Sequence, residues 1–135
     1  IGTPQMNFFD AELIKENGKY AVKLADVVVE LSGDKQEKLA ANGVESQQIT
    51  LGIRPEHITL EDSGVAATVD VSEMMGSSVH LHVTALEQDV VIVVNTMNMT
   101  GAEVAELKMG KAVNFAFGGN NCHVFNKETG VNLEA

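Results

Sequence analysis

The 135-residue sequence predicts a small all-β fold, a barrel or sandwich, interrupted by one or two short helices. Three observations carry this. Most segments alternate apolar and polar residues at period two, as a strand with one buried face requires. Turn-forming residues punctuate the chain at roughly 8–12-residue spacing. Only two stretches carry helix-start signals. Short strands at such spacing imply an antiparallel barrel or sandwich, and parallel βαβ units are not expected.

The elements follow in order. Consecutive Phe8 and Phe9 on a strand must point to opposite faces, one inward and one outward. Asn17-Gly18 marks a hairpin turn, after which Tyr20, Val22 and Leu24 alternate ahead of Val27-Val28-Val29. Residues 34–42 read as a helix. Asp34 and Glu37, three apart, form a capping pair, Leu39-Ala40-Ala41 favours helix, and Gly43 closes it in the left-handed conformation. Strands resume at 49–53 and 57–60, with Pro55 between them because proline cannot donate to a central ladder. Further strands are expected at 66–74, 79–85, 90–95, 112–117 and 123–125, joined at Gly76, Asp89 and Gly118-Gly119. Thr100 and Glu103 predict a second capped turn, ended by Gly110. Met74, Met75, Met97, Met99 and Met109 are expected to fill core gaps.

Length fits one domain, large enough to bury roughly two-thirds of its unfolded surface without a disulfide or a metal. At 44% hydrophobic and 21% charged residues the chain is not disordered. The longest apolar run, Val90-Val91-Ile92-Val93-Val94, falls far short of the ~20 residues of a membrane helix, and no charged-then-apolar leader is visible. The single Cys122 cannot make an internal disulfide, in keeping with a reducing cytoplasm. The chain opens on Ile1, and the expectation is a domain cut from a longer protein. Nine Lys+Arg against nineteen Asp+Glu give a formal charge of −10. Nucleic acids and anionic membrane surfaces would repel such a chain, and one tyrosine with no tryptophan supplies no stacking platform.

Several chemistries are missing. Gly18-Lys19-Tyr20 and Gly110-Lys111-Ala112 lack the earlier glycine and the Ser or Thr after the lysine that a phosphate-binding loop needs. There is no Gly-x-Ser-x-Gly elbow and no Cys-x-x-Cys pair. His80 and His82 share one strand face, but zinc needs further ligands, so a polar face beside Thr84 is the preferred reading. Cys122 and His123, adjacent on a strand, point apart and do not form a dyad.

Three ordered segments carry a resemblance. They are Ile1-Gly2-Thr3-Pro4-Gln5-Met6-Asn7-Phe8-Phe9, Leu51-Gly52-Ile53-Arg54-Pro55-Glu56-His57, and Cys122-His123-Val124-Phe125 followed by Thr129-Gly130. Met75-Gly76 ahead of His80-Leu81-His82 adds a fourth. Together, over essentially the whole chain, they resemble the C-terminal regulatory region of the ATP-binding subunits of carbohydrate-import ABC transporters, the branch serving maltodextrin, multiple-sugar and glycerol-phosphate uptake. Ser78, where relatives often carry Glu, and the segment 88–108 depart from the pattern.

The resemblance implies a transport-associated OB-type β-barrel over residues 1–135, with the ATPase domain of the parent expected before residue 1. It implies a non-catalytic regulatory and dimerisation role, with no cofactor in this fragment and ATP and Mg held by the parent. The implied partners are a second copy, the chain's own ATPase domain, the membrane permease subunits reached through it and, in some members, a regulatory protein. The implied location is cytoplasmic, peripheral to the inner face of the membrane. Phe8, Gly52 and Glu73 match positions of partner contact in regulated relatives.

The motif residues also have a local reading. Pro55 stops a strand, with His57 opening the next. Arg54 either pairs with Glu56, forks onto a carboxylate or backbone carbonyls to lock the corner, or reaches another domain. The carboxylate-free stretch 74–85, centred on Val79, His80, Leu81 and His82, is the candidate dimer strand. The alternative function is a free-standing β-barrel sensor for a small ligand, which the acidic charge and scarce aromatic rings disfavour.

Overall fold

The computed structural model describes residues 4–135, so Ile1-Gly2-Thr3 of the first family-like segment lies outside the described residues. In chain order the elements are β1 (Asn7–Glu16), β2 (Lys19–Leu24), β3 (Val27–Glu30), α1 (Gly33–Ala41), β4 (Gln47–Ile53), a single 3-10 turn (Pro55–His57), β5 (Ile58–Glu61), β6 (Val65–Met74), β7 (Ser78–Ala85), β8 (Gln88–Asn95), α2 (Gly101–Ala105), β9 (Ala112–Phe117) and β10 (Cys122–Asn126). The chain falls into two compact units. Residues 6–54 and 117–135 make one; residues 4–5 and 55–116 make the other. Among the described residues no helix is long and apolar enough to cross a membrane.

In the first unit the strand order is β10-β4-β1-β2-β3. Alternation along β1 sends Phe9, Ala11 and Leu13 inward, and the register Leu13↔Val22 and Phe9↔Leu51 joins them to β2 and β4. Ser32 N donates to Gly119 O at 3.3 Å, so the loop before β10 meets the end of β3 and the sheet curls. Helix α1 buries Leu39 against this core. Gln36 docks the helix: its Oε1 accepts from Tyr20 N at 2.7 Å, and its Nε2 donates to Tyr20 O and Leu31 O. Tyr20, fully buried, donates its hydroxyl to Val44 O at 2.6 Å. The helix begins one residue earlier than its sequence signal. Ser32 is the N-cap, without a side-chain bond, and Asp34 already lies in the first turn, where its charge suits the helix dipole rather than a cap. Gly43 takes the left-handed conformation as expected, with φ 65°.

The second unit has the order β5-β9-β6-β7-β8, and β5 with the turn before it also lies against β8, so this sheet curls as well. Val65, Val69, Val79, Leu81, Val83, Val90, Ile92 and Phe115 fill its interior. Two expectations fail here. The β7–β8 turn is Leu86-Glu87, both at positive φ, and Asp89 sits inside β8 opposite Thr84. That turn lacks the Asn-Gly or Asp-Gly signal a hairpin usually carries, so nothing in the sequence marked it. The methionines do not fill the core: Met74, Met75, Met97 and Met109 are all exposed, because they stand in turns or at strand ends. The capping box Thr100–Glu103 is formed, though α2 ends at Ala105, well before Gly110.

Candidate functional site

The outward face of the first unit brings Phe8 and Gly52 together. The register Phe8↔Gly52 continues to Gly52↔His123, so β1, β4 and β10 place the three side by side. Phe9 is buried while Phe8 is 52% exposed, as strand alternation requires. The Phe8 ring meets the Phe125 edge at a 6.0 Å centroid distance, and His123 lies 6.5 Å from Phe125. Gly52 makes this possible. A Cβ there would stand 2.5 Å from Met6 Sδ and 2.9 Å from Phe125 Cε2. Phe125, His123 and Met6 belong to this surface although sequence reasoning had not joined them to Phe8. Asp10 and Lys127 pair at its rim, at 2.8 Å.

The Gly-Ile-Arg-Pro-Glu-His segment is the passage from one unit to the other, the change falling between Arg54 and Pro55. Pro55 is buried in its 3-10 turn. Arg54 and Glu56 are exposed and do not pair; among the described residues Arg54 grips no carboxylate or carbonyl. The corner is therefore held by the buried proline and not by an arginine fork. His57 is half-buried, and its buried Nδ1 has no hydrogen-bond partner among the described residues.

Glu73, His80 and His82 lie in the second unit, on the outward face of β6 and β7. His82 Nε2 meets Glu73 Oε1 at 2.5 Å, and Thr84 donates to Asp70 at 2.7 Å across a bulge between Val69 and Val71. Val79 and Leu81 are fully buried, and both edges of β7 are paired. Of Val79, His80, Leu81 and His82, only the two histidines are therefore presented outward.

Nucleophile and metal chemistry find little support. Burial pushes the Cys122 thiol up to about 11, the nearby Lys35 opposing this, and His123 points to the other face. Such a thiol is protonated and unreactive near neutrality. Among the described residues no three His, Cys, Asp or Glu side chains converge as a metal ion needs.

Residues 51–125 match the family described as TOBE domain. The chain belongs to the TOBE domain family. Residues 2–58 match the MalK OB fold domain, and the two matches overlap on 51–58, the stretch where this TOBE chain passes between its units. The two curled, mostly antiparallel sheets fit that assignment. The TOBE chain is similar to the oligosaccharides import ATP-binding protein MsmX of Bacillus subtilis, at 25% identity over 98% of this chain and 36% of the relative. It is similar to the sn-glycerol-3-phosphate import ATP-binding protein UgpC of Ruegeria sp., at 31% identity over 96% of this chain and 32% of the relative. It also resembles the trehalose/maltose import ATP-binding protein MalK of Thermococcus litoralis, at 28% identity, 96% of this chain and 35% of the relative. The chain thus spans about a third of the length of these relatives.

Proposed function

We propose that this TOBE chain is the non-catalytic C-terminal module of the ATP-binding subunit of a carbohydrate importer, and that it holds two such subunits together. The likeness to import ATP-binding proteins over nearly all of the chain carries the reading. On this reading ATP and magnesium are bound by an ATPase domain elsewhere in the parent, and the permease subunits are reached through that domain at the cytoplasmic face of the membrane. The second copy docks on the outward face of β7, through His80 and His82; β7 itself carries no carboxylate, and the bordering Glu73 and Asp70 are engaged by His82 and Thr84. A two-fold contact uses the same patch on both copies, so it matters there that these carboxylates are engaged within each copy. A regulatory protein, where one acts, meets the Phe8–Gly52 surface, whose half-exposed ring gives it an apolar anchor. The complete reading frame tests the assignment. A phosphate-binding loop and signature loop encoded upstream of Ile1 are expected; a start codon close to Ile1 would sink it.

A further inference from the structure

The unit of residues 55–116 holds an apolar cleft that the subunit assignment leaves unused. It measures about 390 Å³ and lies where β5 meets β8, lined by Leu60, Val93, Val94 and Met99, with Glu56 on its wall. Glu56 is exposed, and among the described residues it makes no hydrogen bond or ion pair. Two residues before Met99 in the chain, Met97 is 75% exposed. Its turn is anchored: Met99 N donates to Thr96 O at 3.1 Å, and Thr96 N to Ser77 O at 3.0 Å. An exposed thioether on a fixed turn is an adaptable apolar contact.

Charge selects the occupant. Residues 55–116 carry nine Asp+Glu against Lys108 and Lys111 alone, and Lys111 lies 3.7 Å from Glu106. The residues lining the cleft bring one carboxylate and no cation, so the field there is negative, which repels acidic partners. An apolar cleft with a lone carboxylate at its wall suits a segment that is both cationic and apolar. We propose that this cleft docks such a protein segment, with a large aliphatic side chain between Leu60 and Met99 and a Lys or Arg paired with Glu56.

The 135-residue chain can be titrated calorimetrically with two synthetic helical peptides of about 15 residues, since shorter helices are marginal in water. One is a Leu/Lys amphipath; the other keeps every Lys and replaces Leu by Ser. The Leu/Lys peptide is expected to bind one-to-one and to move the amide resonances of Leu60, Val93 and Met97, and the Ser peptide to do neither. Glu56→Gln should weaken binding about three- to fivefold, the scale of an exposed ion pair. Met97→Ser should weaken it too, whereas Glu87→Gln, an equal charge change in the β7–β8 turn, should not. Equal binding of both peptides, or equal effects of Glu56→Gln and Glu87→Gln, would reduce the attraction to diffuse charge and overturn the proposal. Absence of binding by the Leu/Lys peptide would overturn it as well.

Discussion

Glu134→Ala tests the tightest polar joint in the first unit. Glu134 and Lys35 are 99 residues apart in sequence, yet their side chains are only 7% and 11% exposed. One carboxylate oxygen pairs with Lys35 Nζ, and the other accepts from Val124 N at 2.7 Å. Beside them, Leu133 N donates to Val124 O, and Asn42 Nδ2 donates to Leu133 O and Ala135 O. The carboxylate thus ties the last residues to both β10 and α1. Alanine at 134 leaves an ammonium and a backbone N–H without partners in a dry place. Removing one member of a buried pair costs about 3–5 kcal/mol, and because Lys35 keeps a narrow path to water the low end applies. About 3 kcal/mol at roughly 3–4 °C per kcal/mol for a chain of this size is a fall in Tm of roughly 10 °C. Differential scanning calorimetry reads this directly. The double variant Lys35→Met/Glu134→Leu should regain the share of the loss due to the orphaned ammonium, and only that share, because the Val124 N–H stays without its acceptor. A fall below about 2 °C for the single variant, or a double variant worse than the single, would refute the reasoning.

That joint was not legible in the sequence, where Glu134 reads as a solvated charge near the end of the chain. Local rules succeed where the cause is local. Alternation placed Phe9 in and Phe8 out, Thr100 and Glu103 found their capping box, and Gly43 found its left-handed turn. Asp34 and Glu37 had the same spacing and failed, because Gln36 docks on Tyr20 and fixes where the helix starts. The aromatic surface was half legible. Phe8 and Gly52 stand in motif segments, but their meeting with Phe125 and His123 depends on the pairing of β4 with β10, whose strands lie some seventy residues apart. The exposed methionines show the limit of composition: residue type favours burial, but Met74, Met75 and Met97 stand at a strand end, a turn and a loop that only the register defines.

Three further outcomes follow from the geometry. Gly52→Ala puts a methyl group 2.5 Å from Met6 Sδ and 3.3 Å from Phe8 Cε1, so it should destabilise by about 1–2 kcal/mol and shift the Phe8 and Phe125 ring resonances; unchanged rings would mean the cluster is not closely packed. Tyr20→Phe removes the hydroxyl that reaches Val44 O at 2.6 Å and should cost about 1–3 kcal/mol in urea unfolding, whereas a neutral result would mean water reaches that carbonyl. Cys122, raised from 9.0 to about 11 by burial, keeps its proton in the folded state where the unfolded chain has lost it. Its contribution is therefore intact below pH about 9 and is lost as pH rises through about 11. Urea unfolding should fall more steeply over that window in the natural chain than in Cys122→Ala, by about 2–3 kcal/mol, and identical slopes would refute this.

The dimerisation role is tested most directly by sedimentation velocity of the 135-residue chain over a wide concentration range. A weak dimer is expected, at roughly micromolar dissociation constant or poorer, as suits a modest interface. The control is His80→Glu/His82→Glu, which adds charge to the outward face of β7; Val79→Glu would strike the core, since Val79 is fully buried. The account predicts that the double variant sediments as a monomer with unchanged far-UV circular dichroism. A strict monomer at every concentration, or a dimer indifferent to the double substitution, would contradict it.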